Sequence, residues 1–269
     1  MHEVLRSRQN PRVQEARRLA RDLRLARSEG VFIADGTKIV REALDAGLPP
    51  RAIFLDPDDP QADTIRAAAS QYDARLNFAA PAVLQAISTL TTAQGAIGIF
   101  ERPRHDLANL LAAPRENTPF ALAVFHQLQD PTNVGALIRT ALAAGLTGAI
   151  TTEGTCDPFH SRAVRASMGA CLRLPLCPDQ PASPLWETLK RGGYRLLALD
   201  PRGALPLADL RLDRPTALIL GREGTGLEPG ARAACDASIR IPMAPAVESF
   251  GVAAAGAIVF HALGMNRTS

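Results

Sequence analysis

Three glycine-bearing segments in the second half of the chain hold the residues whose types and spacing could do chemistry. The first is Asp130-Pro131-Thr132-Asn133-Val134-Gly135, which follows an apolar run and opens a helical pattern carrying Arg139. Asn133 stands where an N-cap would accept from the free amides of a first turn. The same strand end and helix start would face a ligand cleft in an open α/β sheet, so both readings stay open. The second is Leu220-Gly221-Arg222-Glu223-Gly224-Thr225-Gly226-Leu227, directly after another apolar run. Three glycines in six residues let backbone approach a ligand closely, though a lone glycine-rich turn is also ordinary structure. The third joins Arg240-Ile241-Pro242-Met243 to Val247-Glu248-Ser249-Phe250-Gly251-Val252 and a run of small residues. Ser249 reads there as an N-cap or as part of a site, and the small residues as core or as a face for a second copy.

Negative signals narrow the chemistry. No segment has the G-x-G-x-x-G spacing of a dinucleotide fold or the G-x-x-x-x-G-K-[ST] of a phosphate loop, which argues against an oxidoreductase and an NTPase. Cys156, Cys171, Cys177 and Cys235 form no C-x-x-C pair, so free thiols are expected and no metal site. No apolar run approaches the roughly 18 residues of a membrane helix. The opening Met1-His2-Glu3-Val4-Leu5-Arg6 lacks the layout of a signal peptide, so a cytoplasmic protein without membrane contact is expected.

The net charge of +3 is mild, but its placement is not uniform. The first thirty residues carry Arg6, Arg8, Arg12, Arg17, Arg18, Arg21, Arg24 and Arg27, and Lys38 and Lys190 are the chain's only lysines. An arginine fork suits phosphate and stacks on bases, although such a run is also an ordinary solvated helix face.

The elements that must position these residues alternate between strand and helix, the pattern of a layered α/β protein. A helix is expected from Val13 to about Ser28, a strand over Val31–Ala34, a helix over Lys38–Ala46 closed by Gly47, and a strand over Ala52–Leu55. A helix over Ala82–Ile87 and a strand over Gly95–Phe100 complete a first domain, residues 1–100. Residues 101–117, with Pro103 and Pro114, read as a linker holding a short helix near Leu107–Leu111. The second domain, 118–269, is expected to place strands at Phe120–Phe125, Ala149–Thr151, Leu196–Leu199 and Ala217–Leu220. Its helices are expected over Val134–Ala144 and Ser249–Leu263.

In this order the three segments resemble the motifs of the SpoU (TrmH) family of RNA ribose methyltransferases, of the SPOUT class. The stretch Arg165-Ala166-Ser167-Met168-Gly169-Ala170 resembles a further family signature. Arg6-Ser7-Arg8-Gln9-Asn10-Pro11 and Phe32-Ile33-Ala34-Asp35-Gly36 resemble the family's L30e-like RNA-binding domain, with Asp35 where Glu is commoner. The resemblance implies an α/β trefoil-knot domain after a small L30e-like α/β domain, and methyl transfer from S-adenosylmethionine to a ribose 2′-hydroxyl. Ribosomal RNA is the implied substrate, with tRNA as the alternative, and the working form a homodimer in which one subunit's first motif lies near the other's cofactor. Asn133, Arg139, Glu223 and Ser249 match catalytic positions. Leu220, Gly221, Ile241, Pro242, Met243, Ser249, Gly251 and Val252 match the cofactor site, and Arg6, Arg8, Asn10 and Arg12 are the candidate RNA contacts. The family usually has Ser-Leu-Asn-Val where this chain has Ser249-Phe250-Gly251-Val252, and Pro245 replaces a common glycine. A catalytically weak RNA-binding protein of this fold and a base-methylating knotted enzyme therefore stay open as alternatives.

Overall fold

A computed structural model describes residues 3–112 and 121–265, the last without its side chain. In chain order the elements are β1 (Val4–Leu5), α1 (Pro11–Arg21), α2 (Leu23–Ser28), β2 (Val31–Asp35), α3 (Thr37–Asp45) and β3 (Pro50–Leu55). Then come α4 (Ala62–Ala69), β4 (Arg75–Ala79), α5 (Pro81–Ile87), β5 (Ala96–Glu101), α6 (Leu107–Leu111), β6 (Ala121–Phe125), α7 (Pro131–Ala143) and β7 (Gly148–Thr152). Next are α8 (Ser161–Ala166), β8 (Leu176–Gln180), α9 (Ala182–Arg191), β9 (Arg195–Leu199) and β10 (Leu205–Pro206). The last are β11 (Thr216–Leu220), α10 (Pro229–Ala234), β12 (Ala237–Arg240) and α11 (Val252–Met265).

The chain divides into two compact units. One joins the described residues up to Pro103 with Phe159–Leu172; the other joins Arg104–Pro158 with the residues from Arg173 onward. The first unit is a five-stranded sheet in the order β1-β4-β3-β5-β2, with β5 antiparallel to both neighbours. Its core gathers Val13, Ala16 and Leu19 of α1 with Phe54, Val83, Leu84 and Ile97. The expected single helix over Val13–Ser28 is two. Asp22 leaves helical geometry at φ −113° and ψ 94°, and its carboxylate accepts from the amide of Leu25 to cap the second. Asp35 is buried and fully used, accepting from the Ser88 and Thr89 hydroxyls and the Thr89 amide. Phe159 belongs with this unit, 5.6 Å from the Phe32 ring and with the Arg102 guanidinium 5.3 Å over its face.

The second unit is a seven-stranded, all-parallel sheet in the order β10-β12-β9-β11-β6-β7-β8. β6, β7 and β11 are buried at every residue, as central strands covered on both faces must be. β12 pairs with β9 on the far side of β11, and the chain then returns to lay α11 on α7. This is the knotted α/β arrangement that the sequence implied. Glycine makes the helix contact close: a Cβ at Gly256 would lie 2.2 Å from Leu137 Cδ2, and one at Gly264 2.7 Å from the carbonyl oxygen of Ala144.

Part of the stretch read as a linker is core. Leu110 and Leu111 of α6 pack with Leu122, Ile150 and Trp186, while residues 113–117 lie outside the described residues, as does Phe120. α7 begins at Pro131 rather than Val134, because Asp130, not Asn133, is its cap and accepts from the Thr132 amide at 2.8 Å. α11 begins at Val252, so Ser249 is not its cap; the Gly251 carbonyl accepts from Ala255 instead.

Candidate functional site

Freed from capping, Asn133 stands in the first turn of α7, and its side-chain amide donates to the carboxylate of Glu223, ninety residues later in sequence. Glu223 is carried by the loop that leaves β11. That loop folds back on itself through a bridge between Arg222 and Gly226, whose amide donates to the Arg222 carbonyl at 2.8 Å. Gly224 and Gly226 take φ of 78° and 68°, the left-handed region that glycine occupies without penalty. Gly221 is required for another reason: a Cβ there would meet the backbone of Gly226 and Leu227 at 2.6 Å.

Behind this loop, at the carboxyl ends of β9 and β11, lies a cleft of about 250 Å³. A neighbouring hollow of about 40 Å³ shares Leu199, Asp200, Pro201, Ser249 and Phe250 with it. Together they approach the roughly 300 Å³ of the smaller ligand pockets, in the place where open α/β sheets bind ligands. Leu220, Gly221, Glu223, Ser249, Gly251 and Val252 line the cleft, and Ile241 and Met243 line the hollow. Pro242 is exposed and lines neither. Open space lies beside the backbone at Gly224 and Gly251, where an added Cβ would meet nothing within 4 Å. Leu199, Leu220, Met243 and Phe250 give the walls an apolar lining.

Arg139 stands apart. It is exposed on α7, six residues past Asn133 and so roughly 120° around the helix, and it lines no wall of this cleft.

Two groups absent from the sequence reading stand at the carboxyl ends of the strands, and the first of them lines the cleft. Asp200, just past β9, is buried and faces Nη1 of Arg232 at 2.5 Å, and both line the cavity. Neither has a motif signal; only the fold brings residues 32 positions apart together. His126, directly after β6, is also buried. Its Nδ1 is 2.9 Å from the Thr152 hydroxyl and its Nε2 3.6 Å from the Glu228 carboxylate. Burial lowers its pKa below the ordinary value, more than Glu228 raises it.

The arginine-rich opening occupies one face of the first unit. Asn10 caps α1 by accepting from the Arg12 amide, and Arg12 donates to the buried Asn77 at 3.1 Å, so both have structural duties. Arg6 is exposed. Arg8 joins Arg17, Arg18 and Arg21 around a groove of about 520 Å³ that also takes in Gln14 and Leu25. Positions 14, 17, 18 and 21 share one helix face, a spacing that the sequence itself carries. The stretch Arg165–Ala170 groups with this first unit, where Ser167 is buried and donates to the Val164 carbonyl.

Among the described residues no group of histidine, cysteine and carboxylate side chains could hold a metal, and no helix is long and apolar enough to cross a membrane. Burial pushes the thiols of Cys156, Cys177 and Cys235 up to about 11.

Residues 121–261 match the model of the SpoU rRNA methylase family, and residues 10–98 that of an MRM3-like substrate-binding domain. The chain is 36% identical over 138 residues to a tRNA/rRNA methyltransferase of Synechocystis, a match covering 51% of this chain and 50% of that one. It is 30% identical over 250 residues to a tRNA/rRNA methyltransferase of Mycobacterium tuberculosis, covering 88% of this chain and 82% of the relative. Its fold is similar to that of the SpoU methyltransferase AviRb of Streptomyces viridochromogenes in complex with AdoMet. The TM-score is 0.86 at 25% identity, over 97% of this chain and 99% of the other.

Proposed function

The chain belongs to the SpoU rRNA methylase family, and on that premise we propose that it moves a methyl group from S-adenosylmethionine to a ribose 2′-hydroxyl of RNA. The observation that carries this reading is the cleft behind the Gly221–Leu227 loop, with Glu223 drawn to Asn133 at its mouth. Backbone left open by Gly224 and Gly251 and apolar walls at Leu199, Leu220 and Met243 suit a nucleoside-bearing cofactor. AviRb, similar over nearly its whole length, binds AdoMet.

The bound cofactor supplies a sulfonium methyl for in-line transfer to oxygen. The chain's own groups must orient the acceptor hydroxyl and accommodate the charge that develops on it. A guanidinium stays protonated and cannot take up the hydroxyl proton, which leaves to solvent as the O–CH3 bond forms and the S–CH3 bond breaks; Arg139 acts as a fixed cation that holds a backbone phosphate and stabilises the negative charge developing on the oxygen. Asn133 fixes the carboxylate of Glu223, which orients groups at the cleft mouth. Ser249 and the backbone from Leu220 to Gly221, which line the cleft, would hold the cofactor, and alignment of donor and acceptor would supply much of the acceleration.

Because Arg139 lies off its own chain's cleft, a second copy would bring it to a cleft. α7 and α11 pack on each other, and Ala143 of the first and Ala254 and Ile258 of the second are exposed, small and apolar residues suited to a like surface. RNA would approach over the arginine groove of the first unit. Ribosomal RNA, the substrate in the family's description, is the substrate of this reading, with tRNA as the alternative, and the cytoplasm its location. Mapping 2′-O-methylated positions in RNA from cells with and without the gene tests the assignment. Loss of one ribosomal position supports it, and an unchanged map of ribose methylation in all RNA contradicts it.

A further inference from the structure

We propose that Arg232, held in place by Asp200, binds the carboxylate at the amino-acid end of the cofactor. The proposal rests on the reading that S-adenosylmethionine occupies the cleft, and it names the group that recognises one end of it. Asp200 follows β9 and is fixed on every side. Its amide donates to the Ile239 carbonyl at 2.9 Å, its Oδ1 accepts from the Arg202 amide at 2.8 Å, and its Oδ2 faces Arg232 Nη1 at 2.5 Å. A buried carboxylate must be paired to persist, and these contacts meet that need.

Arg232 is positioned without being used up. Its side chain is 41% exposed against 8% for Asp200, and it lines the same cleft. A guanidinium has five N–H donors in a rigid fork, and Asp200 engages one terminal nitrogen. Among the described residues no other ion pair takes Arg232. The remaining donors therefore present a planar, carboxylate-matching edge whose direction is set by a buried partner. A purely structural ion pair could sit anywhere on the surface; this one forms the wall of the cavity. Glu223 lines the same cavity, so the site carries a fixed anion as well as this fixed cation. That polarity suits a ligand with an anionic carboxylate and a cationic sulfonium.

Calorimetry with S-adenosylmethionine and its decarboxylated analogue, each titrated into the native protein, Arg232→Met and Arg232→Lys, tests this. The native protein should bind the decarboxylated analogue roughly tenfold or more weakly, as loss of a charge-assisted hydrogen bond would give. Arg232→Met should bind S-adenosylmethionine roughly tenfold more weakly but the analogue within about twofold, so that the preference disappears. Arg232→Lys, which keeps the charge and can still face Asp200, should retain part of it. Equal weakening of both ligands in Arg232→Met means the pair only supports the fold, and overturns the proposal. So does an unchanged preference accompanied by a shallower salt dependence of RNA binding, which would assign Arg232 to an RNA phosphate. If the native protein binds neither ligand, the cofactor reading fails and this proposal with it.

Discussion

His126 shows how one side chain can tie the stability of the second unit to pH. Its ring is buried edge-on to Trp186, with centroids 5.6 Å apart, and among the described residues the nearest charged group to its Nε2 is Glu228 at 3.6 Å, beyond hydrogen-bond distance. Burial lowers its pKa below 6.5 in the folded chain. Once pH falls below about 6.5, the unfolded chain takes up a proton that the folded chain resists, so stability drops with acidification. We expect the urea midpoint to fall between pH 7.5 and pH 5, and His126→Gln to flatten part of that fall; an identical fall in the variant would contradict the assignment. Arg139 belongs to the same scale. Arg139→Ala should lower methyl transfer by roughly a hundredfold or more, the size expected for a lost electrostatic stabiliser, with cofactor affinity changed only a few-fold. Tritium transfer and calorimetry read the two quantities separately, and normal turnover would return Arg139 to a solvated helix surface.

Glycines decide how the elements meet, and two of them make opposite predictions. Gly221→Ala puts a methyl group 2.6 Å from the backbone of Gly226 and Leu227, so the loop must shift. We expect a stability cost of about 1–3 kcal/mol and weakened cofactor binding, seen in thermal melts and calorimetry. Gly251→Asn meets open space and should fold with an unchanged melting temperature. Because the family usually carries asparagine there, this variant should transfer methyl groups at least as fast as the native chain. A slower variant would mean that the bare glycine is itself suited to the substrate. These elements were legible to different degrees. The apolar runs of β6, β9 and β11 marked strands because central parallel strands leave no exposed face. Helix starts were misread by three residues at Pro131 and Val252. Asparagine and serine cap helices well in general, so Asn133 and Ser249 concealed the actual caps, Asp130 and the Gly251 backbone. β1, α4, β4 and β8 carried too little periodicity to be seen, being short or mixed in polarity. Asp200 and Arg232 meet through β9, β12 and α10, and no local pattern encodes such a meeting.

For the whole molecule the account requires two copies and two tasks. Light scattering at micromolar concentration should give twice the mass of one chain, and a single-chain mass would remove Arg139 from any cleft. RNA should be gripped by the first unit, where Arg8, Arg17, Arg18 and Arg21 surround one groove. Changing these four to alanine in the full chain should weaken RNA binding and leave cofactor affinity unchanged. The salt slope should become shallower by about one for each phosphate that is no longer neutralised. Equal slopes would make this face a solvated one. The intact chain is the right material, because truncation at Pro103 would also strip Phe159 of Phe32 and Arg102. The central claim is the identity of the bond made, and product analysis reads it directly. The purified protein is incubated with ribosomal RNA and methyl-labelled S-adenosylmethionine, and the RNA is digested to nucleosides, which are separated by chromatography and fragmented in a mass spectrometer to show whether the label stays with sugar or base. The account predicts label in the sugar of one kind of 2′-O-methylnucleoside; label confined to a methylated base, or none transferred at all, would contradict it.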